Sequence, residues 1–133
     1  MIKEISVTSG RRAEFVEITG EVAKAVSSSG IKEGTALVYV PHTTAGVTIN
    51  ENADPSVKSD IIKELDKIVP WNDNYGHSEG NAAAHIKASL IGESVSVIIS
   101  KGRPALGTWQ GIFFCEFDGP RKRKVFIKIQ ENK

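Results

Sequence analysis

Apolar positions repeat along the chain with two periods, and the switches between them mark out the elements. Residues 2 to 8 and 11 to 18 alternate loosely around Ser9 and Gly10, the pattern of two strands joined as a hairpin. From about Gly20 to Ser29 the spacing becomes helical, with Val22, Ala23 and Val26 on one side, Thr19 as hydroxyl cap and Gly30 as stop. TALVYVP at 35 to 41 and GVTINE at 46 to 51 read as strands, with HTTA at 42 to 45 as a turn or strand end between them. Asp54 before Pro55 is a helix start, and Val57, Ile61, Ile62, Leu65 and Ile68 keep helical spacing until Pro70. A polar loop, WNDNYGHSEG, then leads to a helix at about 80 to 91 that Gly92 ends.

Beyond Gly92 the period is that of strands: SVSVIIS at 94 to 100, WQGIFFCEFD at 109 to 118 and KVFIKIQ at 124 to 130. In the middle run Ile112 and Phe114 point one way and Phe113, Cys115 and Phe117 the other, so both faces need cover from a second sheet, a helix layer or a subunit interface. Strands and helices interleave without a βαβ repeat. The expected fold is α+β, with about seven strands in two packed, sandwich-like sheets and two to three helices, as one domain over residues 1–133.

Composition narrows the function classes. With 133 residues, 40% hydrophobic and 25% charged, the chain is neither disordered nor fibrous. A net charge of +1 argues against wrapping nucleic acid by bulk electrostatics, and the Arg121–Lys124 cluster reads as a solvated hairpin tip. A nucleic-acid role for that cluster ranks last. One cysteine, Cys115, permits no internal disulfide and suits a reducing cytoplasm as a small buried hydrophobe; no apolar run has membrane-spanning length.

Charge is unevenly spread, however: residues 51 to 79 hold seven acids and three lysines, and residues 101 to 133 hold eight bases and three acids. Two solvated faces explain this, as does an acidic wall opposite a basic one around a metal and an anionic substrate. All three histidines sit beside small or polar turn residues: His42 in PHTTAG, His77 in YGHSEG and His85 in NAAAHI. Asn81 and His85 lie four apart on one helix face, and His77 can curl over that helix start. Three neutral imidazoles with an open fourth position make a catalytic zinc arrangement. Taken singly, His42 also suits a hydrogen-bonded core site, by parity with Ala36, Val38 and Val40, and His85 a surface site.

Glu51, Asp54 and Glu79 can orient the imidazoles or serve as general base, although Asp54 already has a capping task. Asn50 and Asn81 suit turn or cap positions, or recognition of polar substrate atoms. The segment 100 to 111, SKGRPALGTWQG, has Lys101, Gly102, Arg103, Gly107, Thr108 and Gln110 where a backbone nest can hold an anion. It is equally a long hairpin with Trp109 as core or interface anchor. It is no nucleotide P-loop, because Thr108 stands where lysine is required and a strand follows.

HTTAGVTINENADPSVKSDI, GHSEGNAAAHIKASLIG and GRPALGTWQGIFFCEFDGPRKRKV closely resemble the YjbQ family, described as secondary thiamine-phosphate synthases. The resemblance implies two packed sheets, a homotrimer, and a weak activity joining hydroxymethylpyrimidine diphosphate to a thiazole phosphate with loss of pyrophosphate. It carries over His42, Thr43, Asn50 and Glu51, then His77, Glu79, Asn81 and His85, then Gly107, Thr108, Trp109, Gln110 and Glu116. The expected division of labour is Glu51, Asn81 and Glu116 in catalysis; Thr43, Asn50, Arg103, Gly107, Thr108 and Gln110 on substrate phosphate; and His42, His77 and His85 on a divalent metal. Zinc is the expected ion, with magnesium an option for a diphosphate substrate. The competing reading is a non-catalytic oligomeric module that binds an anionic metabolite or metal.

Overall fold

The computed structural model describes residues 2–133. Eight strands and three helices follow in the order β1 (Ile2–Thr8), β2 (Glu14–Glu17), α1 (Thr19–Ser29), β3 (Gly34–Tyr39), β4 (Ala45–Glu51), α2 (Pro55–Ile68), α3 (Ala82–Ile91), β5 (Ser94–Ser100), β6 (Arg103–Pro104), β7 (Gln110–Glu116) and β8 (Lys122–Glu131). All pairings are antiparallel, in a five-stranded sheet ordered β1-β8-β3-β5-β6 and a three-stranded sheet ordered β2-β7-β4. The expected α+β, two-sheet architecture is the one observed. The strand beyond the expected seven is β6, two residues long and too short to leave a periodic signature.

The opposed faces of β7 organise the interior. Ile112 and Phe114 face the five-stranded sheet and pack with Val38, Val97, Val125 and Ile127, while Val22 and Val26 of α1 join the same core. Phe113, Cys115 and Phe117 face outward from the smaller sheet, where Ala84 and Ala88 of α3 and Ile61, Ile62 and Leu65 of α2 cover them. The alanine face of α3 lets the helix lie close to β4: a Cβ at Gly46 would stand 2.5 Å from the Gly92 carbonyl oxygen. No helix among the described residues is long and apolar enough to cross a membrane.

Three local expectations are corrected. The first two strands form no hairpin: β1 pairs with β8, Ile5 opposite Val125, and β2 pairs with β7, Phe15 opposite Cys115. Alternation fixes which face a residue takes and leaves the partner open. Between these strands the Ser9 N–H donates to the Arg121 carbonyl at 2.9 Å. Thr19 does not cap α1, whose N-cap is Ile18; its hydroxyl donates to Glu17 Oε2 at 2.8 Å and accepts the Ile112 N–H at 2.9 Å. Asp54 does cap α2, accepting the Ser56 N–H at 2.9 Å, with Pro55 as first helical residue. Trp109 is 64% exposed and anchors no core.

Candidate functional site

The three histidines arrive on three separate segments. His42 lies where the chain crosses from β3 in one sheet to β4 in the other; His77 lies on the loop before α3, and His85 on the first turns of that helix. The loop is held by stacking of the Arg12 guanidinium on Trp71, 4.2 Å from the ring centroid, and by the Tyr75 hydroxyl donating to the Pro70 carbonyl. His42, His77 and His85 line one open cavity of about 770 Å³, together with Thr43, Glu79, Asn81, Asp118, Arg121 and Arg123. The His77 and His85 rings meet edge to face with centroids 5.1 Å apart, and His77 Nε2 lies 3.9 Å from Glu79 Oε1.

A buried charge network supports the cavity floor. Glu116 and Arg123 are both buried; Arg123 Nε donates to Glu116 Oε1 at 2.8 Å, and its Nη2 donates to Glu116 Oε2 and, at 2.8 Å, to Thr44 Oγ1. Glu116 also accepts the Ser9 hydroxyl at 2.8 Å and the Asp118 N–H at 3.0 Å. Burial alone would raise the Glu116 carboxyl pKa, but the donors from Arg123, Asp118 and Ser9 hold it below its ordinary value. A carboxylate so fully engaged accepts no further proton readily. Glu116, expected in catalysis, is hydrogen-bonded to Arg123 and holds that guanidinium in place. One layer out, Asp118 Oδ2 accepts from Asn81 Nδ2 at 2.8 Å and from Arg121 Nη2 at 3.0 Å. The amide of Asn81 is thereby fixed in orientation, because turning it would set two acceptors against each other, and its buried Oδ1 has no partner among the described residues.

His42 differs from the other two rings. Its Nε2 accepts the Lys124 N–H at 3.0 Å, so the neutral ring, by this assignment, carries its proton on Nδ1. Burial first, then the Arg123 charge, lowers its pKa and favours that neutral form. In that form neither nitrogen offers a free lone pair, and the Nδ1–H is the group His42 has to donate. Among the described residues no three His, Cys, Asp or Glu side chains are placed to hold an ion. His77 and His85 suit a metal in kind and proximity, whereas His42 as placed does not complete a cage.

The remaining expected residues lie elsewhere. Glu51 pairs with Gln110, and Ala45 with Glu116, at opposite ends of the β4–β7 ladder. At ~3.3 Å per residue those ends are roughly 20 Å apart. Asn50 Oδ1 accepts the Glu51 N–H at 2.7 Å, and Gln110 Oε1 accepts the Gly107 N–H at 2.8 Å, closing the 107–110 turn that includes Thr108 upon itself. The N–H groups of Lys101, Gly102, Ala105, Leu106 and Gly107 all have acceptors within the protein, which leaves them none to offer an anion. Arg103 lines a different cavity, described below. The acids of α2 stay on the outer surface, Glu64 beside Lys67 at 3.7 Å and Asp66 with Lys87, and of the seven acids counted between 51 and 79 the histidine cavity is lined by Glu79.

Three site residues escaped the sequence reading: Asp118, Arg121 and Arg123. For Arg123 a signal existed, because it shares strand parity with Val125, Ile127 and Ile129, all buried.

A family model described as UPF0047 protein YjbQ-like matches residues 3–132. The chain belongs to the YjbQ family. It is 56% identical over 129 residues to a UPF0047 protein of Methanocaldococcus jannaschii, covering 97% of this chain and 94% of that one, and 52% identical over 130 residues to YugU of Bacillus subtilis, covering 97% and 98%. Among solved structures, a YjbQ/UPF0047 protein of Clostridium acetobutylicum aligns with TM-score 0.95 at 56% identity over 96% of this chain and 99% of that one. A YjbQ-like protein of unknown function from Sulfolobus solfataricus aligns equally well at 32% identity, covering 99% and 97%. The two-sheet frame of the YjbQ family thus persists where two thirds of residues differ.

Proposed function

We propose that the histidine cavity binds a small phosphorylated heterocycle and catalyses its transfer with departure of pyrophosphate, the thiamine-phosphate synthase type of reaction. The observation that carries this reading is the meeting of His42, His77, His85, Asn81 and Arg121 on one cavity of about 770 Å³, ample for such a substrate. In the reaction, the C–O bond between the pyrimidine methylene and the diphosphate breaks, the diphosphate leaves with the electron pair, and the thiazole nitrogen forms the new C–N bond. The His42 Nδ1–H donates to a phosphate oxygen, and Arg121 adds positive charge where negative charge grows. Arg123, held by Glu116 and Thr44, fixes the floor on which the two partners are oriented. A divalent ion on His77 and His85, zinc or a magnesium ion carried in with the diphosphate, would supply further Lewis-acid charge.

The test is to incubate the purified chain with hydroxymethylpyrimidine diphosphate and thiazole phosphate and to measure thiamine phosphate and pyrophosphate in parallel. Equal yields of the two products, with His85→Ala and His42→Ala each slowed about 100-fold or more, support the reading. Binding of the diphosphate without turnover would favour the non-catalytic module, and unchanged rates in both variants would refute a role for the cavity. Zinc analysis of the same variants tests the ligand assignment: the content should fall in His77→Ala and His85→Ala and stay level in His42→Ala.

A further inference from the structure

A second cavity, of about 570 Å³, opens between α1 and the turn joining β5 to β6, and it shares no lining residue with the histidine cavity. Its wall carries Lys32, Lys101 and Arg103 and no carboxylate; one stripe of α1, from Ala23 to Ser27, forms the other side. Like charges crowd here. A Cβ at Gly102 would lie 3.4 Å from Lys32 Nζ, so the ammonium is folded directly over the turn that bears the other two cations. The Gly102 N–H donates to the Lys32 carbonyl at 3.0 Å, which ties the two segments together. None of the three side chains has a carboxylate within ion-pair distance among the described residues. The carboxylate of Glu33 accepts the Lys101 backbone N–H at 2.7 Å and makes no ion pair with the three cationic side chains.

The turn itself points the same way. Lys101 and Gly102 both have positive φ, 53° and 77°, the backbone of a mirror-image hairpin turn. That turn favours Asn-Gly or Asp-Gly, and a long β-branch-free cation gains nothing in the left-handed region. Lysine at this position therefore trades turn stability for a charge, beside the two further cations of the cavity wall.

We propose that this cavity is a second binding site, for a small phosphate-bearing anion whose oxygens are shared among Lys32, Lys101 and Arg103. Three cations from two segments around a closed turn match the several oxygens of a di- or triphosphate group, which takes charge-assisted hydrogen bonds from both ammonium and guanidinium. The inference does not depend on the function assigned to the histidine cavity.

The test uses pyrophosphate as the probe, by calorimetry and by amide chemical shifts on the full chain. The wild type should show a site whose titration moves the Lys32, Lys101 and Gly102 amides. The double variant Lys101→Asn, Arg103→Gln should weaken that site about tenfold or more while matching or exceeding the wild-type melting temperature, because asparagine suits the turn. His42→Ala should leave the site intact, and failure of the first cavity to bind would not affect this result. The proposal is overturned if the double variant binds as the wild type does, if pyrophosphate moves only amides around the histidines, or if duplex DNA binds this surface and pyrophosphate does not.

Discussion

At the residue scale, the pair formed by Glu116 and Arg123 carries the sharpest stability prediction. Removing the carboxylate leaves a guanidinium buried without its counter-charge, so Glu116→Ala should lose on the order of 3–5 kcal/mol by urea unfolding. Its pH dependence follows from the lowered carboxyl pKa: below the ordinary 4.5 the unfolded chain takes up a proton that the folded chain refuses. The stabilisation is complete above that value and disappears as pH falls through the folded one. His42 contributes in a higher window. Its folded pKa also lies under the ordinary 6.5, so its share is complete above 6.5 and shrinks as pH drops below. His42→Asn should flatten the fall in melting temperature just below pH 6.5. The three histidines were legible as a group because turn chemistry surrounds each. The tautomer of His42 was not, since the Lys124 N–H that sets it is 82 residues away.

At the element scale, the approach of α3 to β4 is set by backbone contact. Gly46→Ala would drive a methyl group into the Gly92 carbonyl, which accepts the Val47 N–H at 3.1 Å, and should cost on the order of 3 kcal/mol by urea midpoint. Helix boundaries were legible wherever local chemistry writes them: Asp54 with Pro55, Gly30 and Gly92 stand where the sequence puts them. Strand partners were not. The run from Ile2 to Glu17 carries two good strands and a good turn, yet its two halves serve different sheets. Pairing there is decided by which strands offer Val7 and Phe15 a core, and those strands lie at the other end of the chain.

At the scale of the whole molecule, β7 joins two cores, so neither should melt alone. Phe114→Ala on the inner face and Phe113→Ala on the helix face should each cost about 3–5 kcal/mol, with far- and near-ultraviolet circular dichroism changing together in a single transition. The same strand explains why the candidate site was only half legible. The first and third sequence motifs each run the length of the smaller sheet, so Glu51 and Gln110 at one end read as neighbours of His42 and Glu116 at the other. Adjacency in a motif is adjacency in space only across a turn.

The burial of Cys115 offers a further use. Its thiol is fully covered by the layer that α2 and α3 lay over the smaller sheet, and desolvation raises its pKa, so it is inert while that layer is seated. As the chain's single cysteine, it is a built-in reporter: the speed at which a thiol-reactive dye modifies the native protein would time how often the helical cover lifts, with no engineered label needed.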